Sequence, residues 1–175
     1  SGIYDPSNDG PDFDCDGLCD DGDETDGGEI TLSFSGATET SINIDYDLSS
    51  CSGISGFQFT VEGVDLISAT DHLNEVHVAG NNVMVFDLGG EQICPEGDCV
   101  GNLASLVFFG ELDGAIIGLS NVVIGSSGGE LITHYGPDPA AIEECVNFDE
   151  DDLCDSDVDD DDDNDGSADA VDTDD

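Results

Sequence analysis

The sequence predicts an all-β chain, an antiparallel two-sheet sandwich or jelly roll, with calcium-binding loop segments at both termini. Three observations carry that expectation. Residues 40–48 alternate without a break, with Ile42, Ile44, Tyr46 and Leu48 on one face and Ser41, Asn43, Asp45 and Asp47 on the other. That period belongs to a half-buried antiparallel strand. Between residues 29 and 135, short apolar runs are separated by Gly, Asn, Ser and Asp, so about nine strands fit into one domain with its own core. Finally, two acidic stretches outside that region share one spacing of carboxylates and glycine, and the spacing suits calcium.

Three segments follow: residues 1–28, an acidic calcium-binding segment; 29–135, the sandwich; and 136–175, a short helix plus a second acidic calcium-binding segment. In the first, Asp12, Asp14, Asp16, Asp20 and Asp23 take positions 1, 3, 5, 9 and 12 of a loop with Gly17 at position 6. Calcium takes six to eight oxygens, so alternate carboxylates turn inward and the position-7 residue, Leu18, lends its carbonyl. Glycine permits the sharp turn.

The strands expected in the middle are 30–35, 40–48, 54–61, 64–69, 74–79, 82–88, 102–110, 116–124 and 130–135. Residues 54–61 repeat the alternation through Phe57, Phe59 and Val61. Gly80-Asn81-Asn82 and Ser126-Ser127-Gly128-Gly129 supply turns. The one helix expected spans 139–146, with Asp138 as N-cap and Pro139 in the first turn.

In the last segment, Asp161, Asp163, Asp165, Asp169 and Asp172 repeat the first loop's positions, with Gly166 at position 6 and Ser167 at position 7. Asp155, Asp157 and Asp159 run directly into it, but Asp160 stands where a glycine belongs.

Charge narrows the function classes. The chain holds 44 Asp plus Glu and no Lys or Arg, for a formal charge of -44. Self-repulsion on this scale opposes compaction, and bound divalent ions are the natural counter-charge. Ten of the acids fall in residues 1–28, 15 in 29–135 and 19 in 136–175. A salt-adapted surface would spread them evenly. Nucleic acid is excluded as a partner because it requires basic residues. No run reaches the apolar length of a membrane-spanning helix, so no membrane insertion is expected. Starting at Ser1 without a leader, the chain reads as a processed product or a segment of a longer precursor.

The cysteines point to an oxidising compartment, hence a secreted or cell-surface protein. Local spacing pairs Cys15 with Cys19, Cys94 with Cys99 and Cys145 with Cys154, and leaves Cys51 over. No paired His spacing supports zinc instead. There is no Asn-x-Ser/Thr sequon, so N-linked sugar is not expected.

Signals for catalysis are sparse. Residues 125–129 match G-x-S-x-G, but that motif works on a strand-to-helix elbow, and a strand follows here. His72, His77 and His134 have no metal-ligand spacing. Without Lys or Arg the chain can neither clamp phosphate nor form a lysine nucleophile. A non-enzyme is expected.

Two resemblances add to this reading. The consecutive D-x-D-x-D-G-x-x-D units with interspersed cysteines resemble thrombospondin type 3 repeats and, less closely, dockerin loops. That resemblance implies calcium ligation by the ten carboxylates at the loop positions above. Residues 54–66 (Ile-Ser-Gly-Phe-Gln-Phe-Thr-Val-Glu-Gly-Val-Asp-Leu) and 118–124 (Gly-Leu-Ser-Asn-Val-Val-Ile) resemble cohesin-like sandwich domains. This implies a jelly roll with a role in extracellular binding or assembly.

The leading expectation is a calcium-stiffened extracellular building block, a subunit of a filament or surface polymer whose junctions bind several calcium ions and join copies of the chain. The alternative is a cohesin-like binding and adhesion module that docks a protein partner or a carbohydrate. With no Trp, three Tyr and eight Phe, exposed sugar-stacking aromatics are scarce, which favours protein over glycan.

Overall fold

The computed structural model describes Asp12, Cys15, residues 27–147 and Cys154. Among the described residues there are ten strands: β1 (Glu29–Ser35), β2 (Ser41–Ser49), β3 (Ile54–Glu62), β4 (Leu66–Asp71), β5 (Glu75–Ala79), β6 (Asn82–Phe86), β7 (Val100–Phe108), β8 (Ala115–Ser126), β9 (Thr133–Tyr135) and β10 (Ala140–Ile142). They form two five-stranded sheets, ordered β4-β7-β2-β1-β9 and β10-β8-β3-β6-β5. Every pairing is antiparallel except β1 with β9.

Alternation explains how the sheets face each other. Ile42, Ile44, Tyr46 and Leu48 turn inward from β2, and Ile30 and Leu32 from β1. They meet Phe57, Phe59 and Val61 of β3, Val83 and Val85 of β6, and Ile117 and Ile124 of β8. Each such side chain contributes about 1.5–3 kcal/mol by leaving water. Strict alternation breaks where the ladder slips. Ile54 and Phe57 are three residues apart and both buried, because a register shift falls between Ile54 and Gly56. Leu103 and Ala104 are both buried, next to the shift at Ile44/Asp45. An extra residue on one strand of a pair produces this kind of local inversion.

The helix expected over 139–146 is a correction. Residues Ala140–Ile142 form β10, which pairs with Ile117, Ile116 and Ala115 and buries Ile142. Eight residues are too few to hold a helix without tertiary support, and an open sheet edge offered pairing instead. Proline beside an edge strand is as well tolerated as at a helix start, so Pro139 did not discriminate.

The disulfides also depart from local spacing. Cys94–Cys99 and Cys145–Cys154 are bonded as expected, but Cys15 pairs with Cys51. The cause is the β1–β2 hairpin, whose register sets Glu29 against Ser49. Gly27 and Gly28 therefore lie beside Ser49 and Ser50. Ser50 Oγ donates to the Gly27 carbonyl at 3.1 Å. Cys51 is thus not the odd cysteine, and Cys19 lies outside the described residues.

Candidate docking face and the two anchored segments

The outer face of the second sheet, across β8-β3-β6-β5, is built from side chains opposite in phase to the core. Gln58 and Thr60 point out from β3, Asn82 and Met84 from β6, and His77 and Ala79 from β5; they line a shallow cavity of about 550 Å³. Beside it a second depression, about 310 Å³, is lined by Ser55, Met84, Phe86, Val123 and Leu131 among others. Met84 is 47% exposed, Val123 40% and Leu131 67%.

An uncharged polar ladder crosses these strands. Asn121 Nδ2 donates to Thr60 Oγ1 at 3.3 Å, and the Thr60 hydroxyl donates to Asn82 Oδ1 at 2.7 Å. Asn121 reaches Thr60 because β8 shifts register opposite Gln58/Thr60, where Asn121 adopts a φ of 50°. Asparagine tolerates that left-handed conformation better than most residues. At the outer edge His77 stacks on Phe86, centroids 5.4 Å apart, with Glu75 Oε2 at 3.7 Å from its Nε2.

Among the described residues, none lining either depression is acidic. The opposite sheet differs. A depression there is lined by Asp45 and Asp47, and Asp45 accepts from Ser35 Oγ and from Asn102 Nδ2. In a chain with 44 carboxylates, two adjoining depressions lined by none are a local exception, with Glu62 and Glu75 at the ends of β3 and β5 beside them.

Residues 125–129 run from the end of β8 into a turn. The Gly129 amide donates to the Ser126 carbonyl, and buried Ser126 Oγ accepts from the Glu130 amide. No strand-to-helix elbow exists there.

Of the predicted calcium ligands, only Asp12 is described, and it is partly buried. Asp14, Asp16, Leu18, Asp20, Asp23, Asp155, Asp157, Asp159, Asp161, Asp163, Asp165, Ser167, Asp169 and Asp172 lie outside the described residues. Among the described residues no group of His, Cys, Asp or Glu is arranged to hold a metal ion.

The described cystines fix Cys15 and Cys154, one from each acidic segment, against the sandwich. Cys15 is bonded to Cys51, two residues past the end of β2. Cys154 is bonded to Cys145, whose amide donates to the Glu111 carbonyl, while the Val146 amide donates to Glu39 Oε2. Glu39 precedes β2 and Glu111 follows β7. The two anchors therefore sit at opposite poles, separated by the nine-residue length of β2, about 27 Å at the rise of an extended strand.

No family model matches this chain, and no curated protein matches it. Solved structures do. The chain is similar to a type I cohesin–dockerin complex from Clostridium thermocellum, with TM-score 0.51 and 10% identity over 70% of this chain and 97% of that one. The sixth cohesin of scaffoldin B from Acetivibrio cellulolyticus, solved with a Cel5 dockerin mutant, gives 0.48 and 16% over 67% and 99%. A non-cellulosomal cohesin from the archaeon Archaeoglobus fulgidus gives 0.46 and 11% over 67% and 92%. At such identities the likeness concerns the fold, which is a cohesin-like jelly-roll sandwich. Uncharged polar residues on alternate positions of β3 and β6 were visible in the sequence, but their convergence required the β5-β6-β3-β8 order.

Proposed function

We propose that this sandwich is an extracellular, non-catalytic docking module that receives a protein partner on the outer face of β8-β3-β6-β5. The observation that carries this reading is the absence of carboxylates from the lining of both depressions in a chain of formal charge -44. Interface cores are depleted of charged residues, and the surrounding negative field steers a complementary, basic-rimmed partner. The Clostridium thermocellum cohesin of the same fold is seen with a dockerin, so a dockerin-type domain is the partner class proposed. Three disulfides suit an oxidising, extracellular setting. Calorimetry against a panel of purified dockerin domains tests it. Binding should be lost in Met84→Glu and kept in Thr31→Glu, on the opposite sheet. Absence of binding, or equal affinity in Met84→Glu, overturns the reading.

A second reading, a calcium-jointed end-to-end polymer, is favoured by the opposite-pole anchoring of Cys15 and Cys154. Acidic segments leaving at opposite ends meet head to tail when copies stack along β2. The expected ligands in both segments are all hard oxygens, the set calcium takes, with expected affinities of about 10⁻⁴–10⁻³ M per loop. Electron microscopy and light scattering in millimolar calcium, then excess chelator, test it. Filaments that dissolve on chelation support it, and a monomer in both conditions overturns it.

A further inference from the structure

The four sheet edges are not equivalent. Edge strands expose unpaired main-chain groups, and proteins blunt them with short strands, proline or bulges. β9 is three residues long and followed by Gly136-Pro137; β10 is three residues long and preceded by Pro139. β4 carries a register shift at Leu66/Ser68. Among the described edges, β5 alone is a regular five-residue strand, paired with β6 without a shift from Glu75↔Phe86 to Ala79↔Asn82.

The phase of that pairing is fixed on both sides of β6. The Val61 amide donates to the Asn81 carbonyl, so residues 81, 83 and 85 direct their main-chain groups to β3, and 82, 84 and 86 direct theirs to β5. Glu75, His77 and Ala79 receive those bonds. Val76 and Val78 consequently turn their N–H and C=O groups away from the sheet, and Val78 is 37% exposed.

We propose that this edge pairs antiparallel with β5 of a second copy of the chain, about a two-fold axis at His77. The strand is self-complementary in that register. Val76 lies opposite the second copy's Val78 and exchanges both main-chain bonds with it, and the reverse holds across the axis. Glu75, the strand's one carboxylate, then faces Ala79, so no like charges oppose each other. The two His77 side chains form the central non-hydrogen-bonded pair, each backed by its own Phe86. An axis perpendicular to the sheet keeps both outer faces on one side. The dimer is one continuous ten-stranded sheet that presents two copies of the Gln58–Thr60–Met84 surface side by side. The outward main-chain groups of Val76 and Val78 are not part of the docking surface, although His77 and Ala79 of the same strand line its first depression, so Val78→Pro and Met84→Glu test the two assignments separately.

Sedimentation velocity over a concentration series tests the pairing, in about 1 M NaCl, where the Debye length of about 3 Å removes most charge repulsion. The expected result is a monomer–dimer equilibrium in the native chain and a monomer throughout in Val78→Pro. Proline at 78 deletes an outward N–H and leaves the β5–β6 ladder intact; far-UV circular dichroism and urea unfolding check the fold. In His77→Cys, oxidation should yield a peptide bridged from 77 to 77, recovered after cleavage at acidic residues because the chain has no tryptic site. A native chain that stays monomeric, including one whose edge takes a different strand, overturns the proposal. So does a dimer that persists in Val78→Pro, or the absence of the 77–77 peptide.

Discussion

Cys15 and Cys51 are joined with their Cα atoms 5.3 Å apart across 36 residues of sequence, and this bond alone among the described cystines ties one pole's acidic segment to the β2–β3 connection. Closing a loop of that length removes about 4 kcal/mol of unfolded-state entropy on the chain-entropy estimate, against about 2 kcal/mol for Cys94–Cys99 with its separation of five. Cys51→Ser should therefore lower the free energy of urea unfolding by roughly twice as much as Cys99→Ser. Equal losses would show that the long bridge acts through local strain instead.

Gly97 and Gly80 both have positive φ, 71° and 60°, but their surroundings differ. A Cβ at 97 would lie 1.8 Å from the Ser50 carbonyl oxygen, whereas one at 80 meets nothing within 4 Å. Gly80→Ala should cost about 1–2 kcal/mol, the ordinary penalty of a left-handed residue. Gly97→Ala must also push the cystine loop off Ser50, so its cost should exceed that of Gly80→Ala by about 2 kcal/mol or more. Thermal melts of the two variants check the order.

What the sequence made legible follows from the range of the forces involved. Alternation is a local property, so the inward set on β2 and the two-layer architecture could be read directly. Bulges are not local. Leu103 and Asn121 owe their placement to register against β2 and β3, and nothing in their own segments marks it. Residues 139–146 carried a valid helix start signal that lost to an edge of β8. Cysteine spacing found the two short bridges and missed Cys15–Cys51, which is set by the hairpin register. The docking face was legible only as alternate Gln, Thr, Asn and Met on separate strands. The carboxylate spacing of both acidic segments was the strongest motif in the sequence, and it falls almost wholly outside the described residues.

Asn81 joins the β5–β6 turn to the β3–β4 corner. Its Nδ2 donates to the carbonyls of Val61 at 3.0 Å and Val64 at 2.7 Å, and its Oδ1 accepts from the Leu66 amide at 3.0 Å. Asn81→Ala strands three main-chain groups in a partly buried corner, which should cost about 2–4 kcal/mol. Asp cannot replace both donors, so Asn81→Asp should be no better than Ala. Hydrogen exchange should speed up at the Leu66 amide in both variants. If exchange there is unchanged, the side chain is not what orders the corner.

Two aspartates respond to acid in opposite senses. Asp87 is held below the ordinary carboxylate range, first by the Asn74 side-chain amide, which donates at 2.8 Å, and then by the Glu91 amide at 2.7 Å. Asp71 is pushed up by burial, partly offset by the Leu73 amide at 3.0 Å. A depressed folded value contributes stability above the unfolded pKa, and that contribution is lost as pH falls through the folded one. A raised folded value penalises the fold at neutral pH, and the penalty is relieved as pH falls through it. Asp87→Asn should therefore be less stable than the native chain at pH 7, with the gap closing below about pH 4. Asp71→Asn should be more stable than the native chain at pH 7, with that advantage shrinking as pH falls toward about 4. Urea midpoints measured from pH 7 to 3 for the three proteins check both signs. Parallel curves for all three would mean that neither carboxylate titrates differently in the folded and unfolded chains.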